Sequence, residues 1–323
     1  MKYKLLGATG VRVSELCYGT MSFGGDADEA ESGRMYAACR DAGINFFDSA
    51  NVYSRGRSEE ILGRLIAGER DEVVITSKCT GVVGNDVNAR GSSRRHVVRQ
   101  VEESLRRLDT DRIDVLFMHH FDESLPVEEV LRGLENVVQS GKVLYIGASN
   151  YAAWQVAKAL GISERRGWAR FDVLQPMYSL VKRQAESEIL PMAMSENLGV
   201  IPYSPVGGGA LSGKYGVKQK PEEGRLVANE MYARRYSAEG TYETAAAFTE
   251  FANNAGIHPV SLAVAWVAGH PGVTSPIIGA RNVEQLRPAL ESVDVDMTPD
   301  LRAEISGLSK APPPANDRFE ERV

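Results

Sequence analysis

The sequence predicts an α/β fold in which eight parallel strands, each followed by a helix, close into a (β/α)8 TIM barrel. Three observations carry this. Short β-branched or apolar runs bounded by Gly, Asp, Ser or Pro recur at roughly 30-residue spacing, the length of one strand–helix unit. Helical patterns lie between the runs, the alternation that builds a parallel sheet. The 323 residues fit one large α/β domain, and no linker-like stretch interrupts them. A single domain over 1–323 is therefore expected, with 310–323 as a surface tail, because Ala311-Pro312-Pro313-Pro314 cannot be helix. An open doubly wound sheet is the alternative.

In chain order, the strands are expected at 16–19, 44–47, 73–76, 113–118, 143–146, 171–174, 200–202 and 274–278. Their near-continuous apolar character suits strands buried on both faces. Helices are expected at 29–41, 93–108, 126–140, 187–197 and 241–254. Ser93 is placed to cap the second of these, and Pro126 suits the first turn of the third. The seventh strand is followed by a long Gly-rich, basic loop reaching to about Gly240, and loops of such length usually serve binding.

Composition narrows the function. Thirty-seven basic against 43 acidic residues leave a net charge of −6, which argues against nucleic acid or an anionic membrane as main partner. No apolar run approaches the ~20 residues of a membrane span, and the first residues lack a secretory pattern, so a cytoplasmic protein is expected. Cys17, Cys39 and Cys79 are too few and scattered for a disulfide framework or a zinc site. The basic run Arg94, Arg95, His96, Arg99, Arg106 and Arg107, interrupted by Glu102 and Glu103, reads as a solvated helix face.

Chemistry in such a barrel collects at the C-terminal strand ends. Here those ends are polar on six consecutive strands: Asp48 with Tyr53 in the following loop, then Lys78, His119, Ser149 with Asn150, Gln175 and Tyr203. A tyrosine is a weak proton donor at its usual pKa near 10, and a neighbouring ammonium such as Lys78 would lower that value. Asp48 is the candidate partner that lets a lysine enter the barrel mouth. His119 could hydrogen-bond a substrate carbonyl. Taken singly, each has an ordinary structural reading: an ion pair for Asp48 and Lys78, a core phenol for Tyr53, a satisfied core histidine for His119.

At these positions the chain resembles the aldo-keto reductase superfamily along nearly its whole length. The most specific block is 44–53, with Asp48 and Tyr53 at the family's separation, followed by Ser58-Glu59-Glu60-Ile61-Leu62-Gly63. Lysine and histidine strands match at 74–78 and 105–119, and the register from Asp114 selects His119 over His120. Residues 3–14 are similar to the family's N-terminal hairpin, which plugs the barrel bottom. The resemblance implies an NADP-dependent oxidoreductase acting on a small carbonyl compound, with Asp48, Tyr53, Lys78 and His119 catalytic and no metal. It implies further that Gly19, Thr20, Met21 and Asp48 line the cofactor, and that Ser149, Asn150 and Gln175 hold the nicotinamide carboxamide. Tyr203 would stack on the ring, and Ser204, Pro205, Gly209, Leu211, Gly213 and Lys214 would form the covering loop. Ile278, Gly279, Ala280, Arg281 and Gln285 would meet the adenosine phosphate, where an arginine favours NADPH over NADH. Two departures stand out: Arg287-Pro288-Ala289 replaces the usual acidic and asparagine residues, and Asn282 replaces a hydroxyl residue. Some proteins resembling the family are accessory subunits of potassium channels, so a cofactor-binding partner protein is the other reading.

Other motifs carry less. Gly208 to Gly213-Lys214-Tyr215 nearly spells a P-loop, but a tyrosine cannot hold Mg²⁺ where Ser or Thr is needed. No Gly-x-Gly-x-x-Gly follows the first strand. Adjacent His119 and His120 leave a strand on opposite faces. His258, His270, Trp154 and Trp266 read as structural, and Trp168 precedes the sixth strand without evident chemistry. Loops at Phe23, 79–88, 121–125 and 231–236 are expected to shape a substrate pocket, with Phe23 and Phe121 equally readable as packing residues. Substrate identity and oligomeric state are left open.

Overall fold

The structure is a computed structural model describing residues 1–217, 221–222 and 224–316. An antiparallel hairpin, β1 (Tyr3–Leu5) and β2 (Arg12–Ser14), opens the chain. Eight strands follow: β3 (Cys17–Gly19), β4 (Phe46–Asp48), β5 (Val74–Cys79), β6 (Ile113–Met118), β7 (Val143–Ser149), β8 (Phe171–Gln175), β9 (Gly199–Val200) and β10 (Ile277–Ile278). All pair in parallel, with β10 beside β3 and the rest in sequence order to β9. The cylinder closes where the Thr274 N–H donates to the Val200 carbonyl and the Ile277 N–H to that of Pro202, both at 2.8 Å. The expected (β/α)8 barrel is formed.

Helices α1 (Glu29–Asp41), α2 (Arg57–Ile66), α3 (Arg94–Leu108), α4 (Val127–Gln139), α5 (Ala153–Arg166) and α6 (Ile189–Ser195) each follow a strand. The Ser93 side chain caps α3, accepting from the His96 N–H, whereas Pro126 takes the N-cap of α4 rather than its first turn. The segment after β9 is not a plain loop: it holds α7 (Arg225–Ala228) and α8 (Glu230–Arg235) before α9 (Thr241–Asn254). α10 (Pro259–Ala268) and α11 (Val283–Leu290) flank β10, and α12 (Pro299–Gly307) ends the helical part. Of the expected tail, 310–316 is described and is tied down by the Ser187 hydroxyl donating to the Pro313 carbonyl; 317–323 lie outside the described residues.

Side chains alternate across each barrel strand. On β5, Ile75 and Cys79 face the helices and join the large outer core, while Thr76 and Lys78 point inward. The hairpin sends Leu6 and Val13 into the N-terminal end of the barrel, against Cys17, Phe46, Val115, Phe117 and Val173. Gly147 makes room for this packing, since a Cβ there would stand 2.4 Å from the Phe117 ring. Apolar side chains thus fill the bottom and leave polar ones for the top.

Several expectations need correcting. Strand β4 begins two residues late: the Asn45 backbone N–H and side-chain amide bond to Ser14 and Arg12 of the hairpin, while its carbonyl still accepts from the Val74 N–H on β5. Trp154 is 62% exposed, with its ring edge-on to that of Phe121, so it is not a core residue. Phe23 is fully buried beside Tyr18, which settles it as packing. Arg107 is not on a solvated face: it donates to the fully buried Glu59 at 2.6 Å. Tyr215 of the near P-loop is buried among Ala210, Leu226, Tyr232 and Tyr236. The three cysteines are free and buried.

Candidate active site

Strand geometry brings four of the expected residues into one cluster. Asp48 ends β4 and Lys78 sits one residue before the end of β5, with both side chains directed inward and buried. The Lys78 ammonium donates to Asp48 Oδ2 at 2.5 Å, to the Ser49 carbonyl at 2.7 Å and to Tyr53 Oη at 3.2 Å. Asp48 Oδ1 accepts from Thr76 Oγ1 at 2.6 Å and from Gln175 Nε2 at 2.8 Å. Each carboxylate oxygen is thus satisfied, as a buried charge requires. His119 follows β6 and meets the Tyr53 ring edge-on, with centroids 6.1 Å apart.

Electrostatics give each group a protonation state. Burial works against the Lys78 ammonium, but Asp48 and Tyr53 outweigh it and hold the pKa above its usual value. Burial pushes the Tyr53 phenol up; Lys78 pulls it down and Asp48 pushes it up again, leaving it above the ordinary tyrosine range. The expectation that Lys78 brings the phenol toward neutral pH is corrected here: the ammonium acts in that direction, yet desolvation exceeds it. Burial, then the Lys78 charge and His120, depress His119 to about 3. At neutral pH the cluster therefore holds a protonated phenol, an ammonium and an uncharged imidazole, and such a phenol can give up a proton to a base formed beside it.

Backbone strain marks the same rim. Among the described residues, five of the seven non-glycine residues with positive φ lie here: Ser54 and Arg55 just after Tyr53, Thr80 after Lys78, Asn150 after β7 and Ser204 after Tyr203. Strained backbone persists where surrounding structure fixes it, and it collects at functional sites.

The sequence pattern of the Aldo/keto reductase family matches residues 15–310. The chain belongs to that family. Relatives run along its full length. An uncharacterized oxidoreductase, YrpG, of Bacillus subtilis is 37% identical, covering 97% of each chain. A probable voltage-gated potassium channel subunit beta of Oryza sativa is 36% identical over 99% of this chain and 100% of its own. The versiconal hemiacetal acetate reductase of Aspergillus parasiticus is 33% identical over 93% and 94%.

Members of the aldo/keto reductase family generally use a nicotinamide dinucleotide, and the remaining rim residues of this chain fit one. Asn150 donates to the His119 carbonyl at 2.8 Å and to Ser149 Oγ at 3.1 Å, and accepts from Tyr203 Oη at 2.7 Å. Ser149 donates to the Gln175 carbonyl at 3.0 Å. Amide and hydroxyl groups beside a tyrosine ring are the donor set a carboxamide-bearing ring needs. Gly207, Gly208 and Gly209 follow with successive positive φ, and the Gly207 and Gly209 N–H groups close tight turns onto the Ser204 and Val206 carbonyls at 2.9 and 3.1 Å. Gly213 and exposed Lys214 continue that segment, while Pro205 and Leu211 are buried. Gly19 pairs with Asp48 in the barrel; Thr20 is fully buried, bonded to Asp48 and Ser58, and Met21 is 38% exposed. Ile278 and Ala280 are buried, Gly279 and Gln285 exposed, and Arg281 lies at the start of α11, where Asn282 caps the helix.

Sequence reasoning missed Thr76, while Thr80 and Tyr232 lie in the 79–88 and 231–236 loops expected to shape the pocket. Thr76 orients Asp48, and Thr80 accepts from the His119 N–H at 3.2 Å. Tyr232 of α8 comes near enough to Tyr53 and Tyr203 to raise both phenol pKa values. A threonine in a strand such as Thr76 gives no local signal. Among the described residues, no group of His, Cys, Asp and Glu is arranged to hold a metal ion, and no helix is long and apolar enough to cross a membrane.

Proposed function

We propose that this protein is an NADPH-dependent carbonyl reductase that converts an aldehyde or ketone to an alcohol, with Tyr53 as the proton donor and 1–323 acting as one domain. The observation that carries this is the 3.2 Å contact between the Lys78 ammonium and the Tyr53 phenol inside a buried, charge-balanced cluster. NADPH, when bound, supplies the hydride that reduces the carbonyl carbon. Tyr53 Oη gives its proton to the carbonyl oxygen, and Lys78 stabilises the phenolate left behind. Asp48 keeps Lys78 charged and aimed. His119, with its pKa depressed to about 3, is an uncharged imidazole at neutral pH and can orient the carbonyl through a ring N–H. Ser149, Asn150 and Gln175 would hold the carboxamide, Tyr203 the ring, the 204–214 segment the pyrophosphate, and Arg281 with the start of α11 the 2′-phosphate.

General acid catalysis contributes about 10²- to 10⁴-fold. Tyr53→Phe is therefore expected to lower kcat for carbonyl reduction by at least about 10²-fold while NADPH binding, followed by fluorescence, is retained. An unchanged kcat would refute the assignment.

Relatives named as potassium channel beta subunits in rice and Arabidopsis thaliana support a second reading, a cofactor-binding subunit with little turnover. A panel of carbonyl compounds with NADPH absorbance as readout separates the two. Tight NADPH binding without oxidation on any of them favours the partner role.

A further inference from the structure

In front of α11, two carboxylates already occupy the groups that a 2′-phosphate would need. Asp26 Oδ2 lies 3.1 Å from Arg281 Nε, with the two side chains 51% and 42% exposed. Glu31 Oε1 accepts the Val283 N–H of the first turn of α11 at 2.8 Å, while its other oxygen takes Arg34. Both carboxylates stand on fixed backbone. Asp26 sits in a turn closed by the Gly24 N–H to the Ala27 carbonyl and by the Ala27 N–H to that of Ser22, both at 2.9 Å, and fully buried Phe23 anchors it. Glu31 lies in the first turn of α1.

We propose that Asp26 and Glu31 set the cofactor preference of this site, opposing NADPH and narrowing its advantage over NADH. The inference rests on the reading of Arg281 as the residue that meets a 2′-phosphate. A dianionic 2′-phosphate must take the guanidinium from Asp26 and settle beside Glu31, so part of what Arg281 contributes is offset by like charge. The 2′-hydroxyl of NADH carries no charge and can donate to either carboxylate, leaving the ion pair intact. Arg281 alone would predict strong selection for NADPH; Arg281 held by Asp26 predicts a protein that binds both.

The test is equilibrium binding of NADPH and NADH by fluorescence, with 2′,5′-ADP and 5′-AMP as displacing probes, in Asp26→Asn, Glu31→Gln, Arg281→Ala and the Asp26→Asn/Arg281→Ala double variant. Asp26→Asn is expected to tighten NADPH and 2′,5′-ADP by about two- to fivefold, the range an exposed ion pair contributes, with NADH and 5′-AMP unchanged. Glu31→Gln should act in the same direction, and the Asp26→Asn effect should vanish without Arg281. Weaker NADPH binding in Asp26→Asn, or an equal change for both cofactors, overturns the proposal. The premise has its own readout: if Arg281→Ala weakens NADPH and NADH equally, the 2′-phosphate reading of Arg281 fails and this inference falls with it. If Arg281→Ala is selective and Asp26→Asn does not tighten NADPH, the inference alone fails.

Discussion

Asp48 accepts at once from Lys78, Thr76 and Gln175, so one carboxylate ties three strands together and fixes the ammonium beside Tyr53. On the proposed mechanism, structural and chemical roles coincide in Lys78, and they can be separated. In Lys78→Met, the phenol loses the cation that lowers its pKa while burial and Asp48 still raise it, so the acid weakens. Turnover is expected to fall by about 10²-fold or more. The same change leaves Asp48 buried without its counter-ion, and removing one partner of such a pair costs about 3–5 kcal/mol. The double variant Lys78→Met/Asp48→Asn removes the stranded charge. Urea unfolding should show stability largely recovered in it, while kcat stays low. Recovery of turnover along with stability would mean that Lys78 acts only by holding the fold.

One level up, Glu59 of α2 is fully buried, accepting from Ser77 Oγ on β5 and from Arg107 on α3. The Arg107 stem also lies against Gly56, where a Cβ would stand 2.7 Å from it, directly after the strained Ser54 and Arg55 that follow Tyr53. Three elements and the Tyr53 turn thus share one ion pair. Glu59→Gln keeps a bond to Ser77 but leaves Arg107 uncompensated except by the distant Glu103 carboxylate at 3.9 Å. A loss of about 3 kcal/mol in urea unfolding is expected, and a loss within about 0.5 kcal/mol, typical of surface changes, would show that the pair is solvated after all. Nothing local announced this. Arg107 looks like its exposed neighbours, and its partner lies 48 residues earlier. The strands were legible because burial on both faces selects uninterrupted apolar runs, and Asp48, Lys78 and His119 because a charged or polar side chain ending such a run needs a reason. β5 runs beyond its apolar stretch to the end expected at Lys78, since Ser77 and Lys78 are paired inside the protein. Short α7 and α8 carry too few turns for a periodic signal.

Across the whole molecule, apolar side chains fill the hairpin end of the barrel and titratable groups gather elsewhere at a cost paid in protonation. Burial, reinforced by neighbouring positive charge, depresses His119 to about 3 and His270 to about 4. An unfolded histidine takes up its proton near pH 6.5, so between there and about pH 4 the unfolded chain binds protons at these positions that the folded one refuses. Stability therefore drops as the pH falls through this window. Asp172 acts the other way: burial raises it to about 6, so the folded protein binds its proton before the unfolded chain does. His96 is lowered by burial in the same direction, so three histidines stand against one carboxyl and the folded protein binds fewer protons than the unfolded chain between pH 6 and 4. Glu186 and Asp122, held low despite burial by hydrogen bonds and, for Glu186, by arginine, add to the loss toward the acid end. Urea unfolding at pH 7, 6 and 5 should show a declining free energy, and His270→Gln, outside the Tyr53 cluster, should flatten the decline. Stability that holds or rises on acidification would mean that these imidazoles are hydrated and titrate as they do in the unfolded chain.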